Sequence, residues 1–400
     1  MNNVDRWLLP DGIGEILPDE AARIEGLRRK LLDLYSTWGY DMIIPPLLEF
    51  TESLLAGNNR DLDLQTFKVT DQVSGRTMGL RADITPQAAR MDAHSLGRQS
   101  PTRLCYAGSV LHTRRANALA SRSPIQIGAE CFGIQGLEAD VEVISLMCET
   151  LQCVRVNDFA VTLGHSGIFR ALVAQALLTA GQQDTLFDIL QRKASRELEA
   201  FMLDQGVAIK SASCFRAMMQ LSGDAGIITQ ARERLREAPA TVIKALDELE
   251  HVAWQLRQRY TQINVHVDLA DLPGFQYHNG MVFAAYAAGV GSPIANGGRY
   301  DDVSVLYGRH RPATGFNADL KTLIAIGQCD VQKPRCIRVG MKWDIGQWQE
   351  VVRLRAQGDR VIELGEQSLG DTCELGCTHE LVYEQGRYVV NALSLNEVKV

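Results

Sequence analysis

From Pro18 the segment PDEAARIEGLRRKLLDLYSTWGY places acidic residues in its first turn and apolar residues at Ile24, Leu27, Leu31 and Leu34. That is a stripe at helical spacing, and it stops at Gly39. The pattern predicts an amphipathic helix feeding a strand. The strand, DMIIPPLLEF, carries two prolines that cannot donate to a ladder, which places it at a sheet edge or an interface. FKVTDQ, GRTMGL, RLCYAGSVL and PIQIGAECFG follow as short strands divided by turns, so a mostly antiparallel sheet is expected.

ADVEVISLMCETLQCV has helical periodicity and DFAVTLG reads as a strand. Residues 166–262 differ in kind: four apolar-periodic stretches with almost no strand signal predict a helical insertion. The sheet pattern resumes with INVHVDLADL, GMVFAAYAAGVGSPIANGGRYDDV and ATGFNADLKTLIAIG. It breaks at CDVQKPR, beyond which IRVGMKWDIGQWQEVVRLRAQGDRVIEL and HELVYEQGRYVVNAL read as a small α/β unit. The expected class is α+β, with a core over 1–330 and a C-terminal domain over 331–400.

Composition narrows the function. An apolar content of 46% over 400 residues makes disorder implausible. Lys and Arg number 41 against 48 Asp and Glu, a net charge of −7. Nonspecific attraction to nucleic acid is therefore disfavoured, leaving only a local basic groove open. The N-terminus has no basic stretch leading into an apolar one, and no run reaches the eighteen or so apolar residues of a membrane span. A cytoplasmic protein is expected, without a membrane partner. Nine cysteines, odd in number and mostly within apolar segments, fit reduced thiols. Cys373, Cys377 and His379 lie close together in CELGCTH, but without ribbon spacing or an evident fourth ligand they read as packing, and no metal or cofactor is expected. There is no Walker A motif, no GxGxxG after a strand, and no acidic pair opening a phosphoribosyl-pyrophosphate loop.

The antiparallel scaffold carries a resemblance. GYDMIIPPLLEF with its preceding helix resembles motif 1 of the class II aminoacyl-tRNA synthetases. GLRADITPQAAR resembles the strand and turn before motif 2, and RLCYAGSVLHTRRANALASRSPIQIGAECFG resembles motif 2 itself. LPGFQYHNGMVF, IANGGRYDD and ATGFNADLKTL continue through to motif 3, and within the class the match over 5–325 is most similar to histidyl-tRNA synthetase.

The departures from that pattern fall on the nucleotide side. Motif 2 of the synthetases supplies an Arg and, two residues on, a Glu that grip ATP; here those positions are His112 and Arg114. The γ-phosphate Arg of motif 3 is matched by Thr322, preceded by Lys321, and the catalytic Arg of the histidine signature by Pro273, before Gly274. Each such contact is worth about two to three orders of magnitude in rate, so losing three leaves little catalysis. No catalytic residue is therefore expected.

The amino-acid side differs. By the resemblance, histidine would be held at Asp83, Thr85, Gln126 and Glu130: Asp83 with Gln126 suits an α-ammonium, and Glu130 suits an imidazole N–H. Tyr277 and Tyr300 match the aromatics that close over the ring, and His278 stands where a second Tyr would be. A plainer reading stays open for each. Gln126 and Glu130 share one strand face and would look the same if they only satisfied one another, and Arg299 in GGRYDD would pair structurally with Asp301 or Asp302.

A synthetase scaffold without ATP clamps but with an amino-acid pocket resembles the regulatory subunits of ATP phosphoribosyltransferase. The resemblance implies a chain that does no chemistry itself and activates a short-form catalytic subunit in the first step of histidine biosynthesis. It also implies a homodimer through motif 1 within a hetero-octamer, and histidine as the feedback effector. The terminal unit, short for the synthetases' anticodon-binding domain and not basic, agrees. Arg114, Arg115 and Arg122 are left as candidates for contact with the catalytic subunit. The alternatives are a divergent histidyl-tRNA synthetase-like adenylating ligase and a free-standing histidine sensor or tRNA-binding module.

Overall fold

The computed structural model describes residues 7–56, 60–115, 120–274, 277–328, 334–342, 344–365 and 375–393. The stripe read from Pro18 forms the helix Pro18–Thr37, which buries Ile24, Leu27, Leu31 and Tyr35. Each such apolar side chain contributes about 1.5–3 kcal/mol when fully buried. Leu34 is only half-buried because Tyr35 takes the core face, its ring edge-on to Phe316 at 6.1 Å. The chain leaves the helix through Gly39 at φ +81°, a left-handed turn that favours glycine.

The prolines do more than mark an edge. They divide the expected strand in two, β1 (Asp41–Met42) and β2 (Leu48–Phe50), with Pro45 and Pro46 between them. Then come β3 (Phe67–Thr70), β4 (Thr77–Leu80), β5 (Thr102–Ser109), β6 (Ile125–Phe132) and β7 (Phe159–His165). These are followed by β8 (Ser222–Asp224), β9 (Asn264–Asp268), β10 (Met281–Ala287), β11 (Ala295–Arg299) and β12 (Ala313–Asp319). A nine-stranded sheet has the order β1-β5-β6-β12-β11-β10-β7-β9-β8, antiparallel except for the β1/β5 and β7/β9 pairs. The strands β2-β4-β3 make a separate small sheet.

One face of the large sheet is closed by apolar packing. Cys105, Ile127, Ala129, Cys131, Phe316 and Ala318 meet the helices Pro18–Thr37, Leu137–Cys153 and Leu320–Ile326 in a single core. The alternate residues of the same strands face the other way, and they form the site described below. The 166–262 segment supplies six helices, from Ser166–Gln175 to Ala240–Arg259. It is not purely helical: β8 pairs antiparallel with β9 and ties the segment to the sheet edge, too short a strand to show in the residue pattern.

The chain divides into two compact units, Met1–Cys329 and Asp330–Val400. In the second, β13 (Cys336–Gly340), β14 (Arg360–Leu364), β15 (His379–Glu384) and β16 (Arg387–Ala392) take the order β14-β13-β15-β16, with the helix Ile345–Ala356 between the first two in sequence. Ile337, Val339, Val351, Leu354, Val361 and Leu381 make its core. Of the CELGCTH residues, Cys373 lies outside the described residues. Cys377 is buried with its Sγ 3.3 Å from Cys336, and His379 Nδ1 lies 2.8 Å from the Thr378 hydroxyl. No described helix is long and apolar enough to cross a membrane.

Candidate functional site

The site begins at the turn after β4. Arg81 anchors it, donating to the Pro45 carbonyl at 2.7 Å and the Ser109 carbonyl at 2.9 Å. Asp83 then accepts at 3.1 Å from the backbone N–H of Thr85, the first residue of the helix Thr85–Arg90. Gln126, on β6, reaches the same turn: its amide nitrogen donates to Asp83 Oδ1 at 2.7 Å, and its oxygen accepts from Ile84 N at 2.9 Å. Both ends of the Gln126 amide are therefore occupied, and its role is to aim Asp83.

Glu130 lies two residues beyond Gly128 on the same face of β6 and is buried. Tyr106 donates to Oε1 at 2.9 Å, Tyr300 donates to Oε2, and the Thr85 hydroxyl meets Tyr106 at 3.2 Å. Burial pushes the Glu130 carboxyl up to about 8; the hydrogen bonds from Tyr300, Thr85 and Tyr106 oppose that, and the charge on Asp83 adds to it. The same burial raises the phenols of Tyr106, Tyr277 and Tyr300, so all three remain donors at neutral pH.

The floor beneath is made of glycine. Gly315 of β12 stands opposite Glu130, and a Cβ there would fall 1.6 Å from Glu130 Oε2. A Cβ at Gly128 would fall 2.7 Å from Tyr106 Oη, and one at Gly298 would fall 2.8 Å from the His278 ring. Three polar side chains lie flat because three strand positions carry none.

The wall is aromatic. The Tyr277 and Tyr300 rings are 5.2 Å apart, and His278 stands perpendicular to Tyr277 at 5.5 Å. His278 Nδ1 is 3.0 Å from the Pro273 carbonyl, which can only accept, so Nδ1 carries the proton and Nε2 is an acceptor. Burial holds the imidazole down to about 4, hence neutral. The Tyr277 hydroxyl is buried without a hydrogen-bond partner among the described residues.

Asp83, Thr85, Gln126, Glu130, Tyr277, His278 and Tyr300 all line one cavity of about 380 Å³. Three contributors escaped the sequence reading: Tyr106, and the pair Asn296 and Asn317, which stand opposite one another in β11 and β12. Polar residues within otherwise apolar or glycine-rich strands were the available signal. A second cavity of about 490 Å³ adjoins the first, sharing Ala82, His112, Gln126, Asn296 and Asn317.

Two of the altered positions, His112 and Thr322, line that second chamber. His112 Nε2 lies 2.9 Å from the Ala82 carbonyl and so props the Asp83 turn. Thr322 donates to Asp319 Oδ2 at 3.0 Å, and the other oxygen of Asp319 accepts from Ile125 N and Lys321 N. Two of the three loop arginines are engaged by the chain itself. Arg115 pairs with Asp11 at 2.7 Å, and Arg122 donates to the carbonyls of Asp11 and His112, both at 3.0 Å. Gly12, at φ +76°, is where the N-terminal segment presses against both. Arg114 is exposed and stands outside these contacts.

Arg299 is structural, but its main partner lies far away in sequence. It makes hydrogen bonds of 2.7 and 3.0 Å to the buried Asp140 and donates to the carbonyls of Ile134 and Gly136, with Asp301 more distant at 3.4 Å. Among the described residues no group of three or more His, Cys, Asp or Glu is placed to hold a metal.

Residues 12–323 match the family model for histidyl-tRNA synthetase, and 334–391 match that for the C-terminal domain of the ATP phosphoribosyltransferase subunit HisZ. The ATP phosphoribosyltransferase regulatory subunit of Cellvibrio japonicus is 48% identical over 98% of this chain and 98% of its own length. That of Thioalkalivibrio sulfidiphilus is 49% identical over 95% and 97%. Among solved structures, an ATP phosphoribosyltransferase regulatory subunit/histidyl-tRNA synthetase from Bacillus halodurans superposes with a TM-score of 0.82 at 26% identity, covering 94% of this chain and 97% of that one. Histidyl-tRNA synthetase from Nostoc sp. shares the fold, with a TM-score of 0.78 at 18% identity over 96% and 97%.

Proposed function

The chain belongs to the family of ATP phosphoribosyltransferase regulatory subunits, built on a histidyl-tRNA synthetase-like core, and from that premise we propose that it binds histidine and transmits its presence to a catalytic subunit. The carrying observation is the first chamber: Asp83 aimed by Gln126, Glu130 held by two phenols, and a wall of Tyr277, His278 and Tyr300. Asp83 would take the α-ammonium. The ring would stack on the tyrosines and present an N–H to Glu130 or to the bare Nε2 of His278, with the Tyr277 hydroxyl supplying a donor to a ring nitrogen.

The second chamber supports the absence of adenylation chemistry. Lys321 is the one cation among the described residues that line it, set against the several negative charges of a nucleoside triphosphate. His112 and Thr322 are spent on the Ala82 carbonyl and Asp319. The reaction, joining ATP to phosphoribosyl pyrophosphate, then belongs to the short-form catalytic subunit.

Assembly follows from exposed surface. Met42, Ile44, Leu47 and Leu48 are exposed along and just beyond β1, the outer strand of the large sheet. This motif 1 edge is proposed as the homodimer seam, and a hetero-octamer with the catalytic subunit as the working assembly. Inhibition requires that histidine bind the inactive quaternary state more tightly, with coupling of about 1–3 kcal/mol.

The test is direct. The purified chain is added to a short-form catalytic subunit, and phosphoribosyl-ATP formation is followed with and without histidine. Stimulation that histidine reverses is expected, and Glu130→Ala should retain stimulation while losing the reversal. No stimulation at any protein ratio would sink the reading.

A further inference from the structure

The first chamber has no countercharge for a carboxylate. Its described lining contains Asp61, Asp83 and Glu130 but no lysine or arginine. An amino acid seated there meets Asp83 with its ammonium, yet its α-carboxylate brings a full negative charge among groups that are acidic or neutral. Leaving that charge unpaired in a half-enclosed site is costly. His112 gives no relief, since its Nε2 proton is committed to the Ala82 carbonyl.

The relief lies at the boundary with the second chamber. Asn296 and Asn317 face one another across the β11/β12 ladder, line both chambers, and make no side-chain hydrogen bond among the described residues. Two carboxamides side by side offer N–H donors to two oxygens. Lys321 is half-buried in the lining of the second chamber; its backbone N–H donates to the capping Asp319 carboxylate, but its ammonium has no ion-pair partner among the described residues. A lysine is a compact charge on a flexible four-carbon stem, able to swing toward an anion at the shared wall.

We propose that Asn296, Asn317 and Lys321 form the carboxylate subsite for the amino acid whose ammonium and side chain occupy the first chamber. The amides fix the two oxygens and the lysine supplies the charge. This rests on the histidine reading above, and it gives the second chamber a role in the same binding event, because that chamber holds the cation that the first lacks. It also makes the site selective for a free amino acid over the same side chain carried on an amide.

The experiment is calorimetric titration of the full-length chain with L-histidine and with L-histidinamide, which keeps the ammonium and ring but has no anionic group. In Lys321→Met the affinity for histidine should fall about tenfold, the usual scale for losing a charge-assisted contact, while that for histidinamide stays within about twofold. Asn317→Asp, which sets a like charge at the subsite, should weaken histidine further and leave histidinamide bound at least as well as before. Thermal melting of both variants confirms that they fold. Equal losses for the two ligands, or unchanged histidine binding in Lys321→Met, would overturn the subsite while leaving the histidine reading intact. Wild-type protein that binds neither ligand would overturn both.

Discussion

The two chambers share a wall but differ in how their polar groups are used. In the first, side chains are satisfied in a way that leaves an aimed surface: Gln126 orients Asp83, two phenols hold Glu130, and His278 is fixed with one nitrogen bare. In the second, apart from Lys321 and the shared pair Asn296 and Asn317, the groups close on the protein itself. His112 binds the Ala82 carbonyl, Thr322 binds Asp319, and Asp319 is consumed by two backbone N–H groups besides. Pre-aimed polar groups are what ligand recognition needs, because the cost of ordering them is met during folding. Groups that satisfy each other only stabilise the fold.

If the first chamber is built to a tolerance and the second is not, adding one methyl group should separate them. At Gly315 a Cβ would lie 1.6 Å from Glu130 Oε2 and 2.8 Å from the Ala129 carbonyl, and backbone cannot yield. Gly315→Ala should lose histidine binding beyond detection in calorimetry and cost about 3 kcal/mol or more in urea unfolding. Ala325→Val, an exposed position lining the second chamber, should change neither by more than about 0.5 kcal/mol. Comparable losses from both would erase the distinction.

Charge sharpens it next. The Glu130 carboxyl is raised from an ordinary 4.5 to about 8 by burial. At pH values between these, the folded chain keeps a proton that the unfolded chain has lost. The contribution of this group to stability is therefore fully present below about 4.5, declines as pH rises, and is gone above about 8. Glu130→Gln should remove that decline, measured by urea unfolding across the pH series, and should weaken histidine at least about tenfold because an amide, unlike the carboxyl, cannot give up a proton when an imidazole N–H is presented to it. A pH profile identical to wild type would mean that Glu130 is ionised throughout.

How much of this was legible in the sequence follows from what each residue depends on. The helix from Pro18 and the strand Ile125–Phe132 were readable because a repeat of apolar positions is a local property. All seven expected site residues line one cavity, since each sat in a motif whose order along the chain matched a known pattern. What the sequence hid is cross-strand. Asn296 means little until β11 pairs with β12 and sets it opposite Asn317, and Arg299 reads as a turn residue until Asp140, more than 150 positions earlier, folds beneath it. The prolines of DMIIPPLLEF signal an edge locally, yet they also end one sheet and begin another, a choice that depends on which partner strand is nearer.

His112 tests whether the chambers are coupled through their wall. Its ring braces the Ala82 carbonyl, one residue before Asp83. His112→Ala should cost about 1 kcal/mol of stability and weaken histidine by a few-fold, mainly through the loosened turn. Gln at the same position restores a donor. Rescue of affinity by His112→Gln would assign the effect to that hydrogen bond, whereas equal affinity for wild type and His112→Ala would show that the Asp83 turn stands without it.

The smallest effect is expected at Thr322, and its smallness is the informative part. The hydroxyl donates to Asp319 Oδ2 at 3.0 Å, while Oδ1 keeps the N–H groups of Ile125 and Lys321 at 3.0 and 3.2 Å. Thr322→Ala therefore removes one of three donors from a half-buried carboxylate that water can reach from the cavity, a loss of about 0.5–1 kcal/mol. Histidine affinity should not move, because Thr322 lines only the second chamber and its partner is not among the residues lining the first. A drop in affinity with Thr322→Ala would mean that the hydroxyl also positions Lys321, and the carboxylate would then be read by the start of the helix Leu320–Ile326 as a unit.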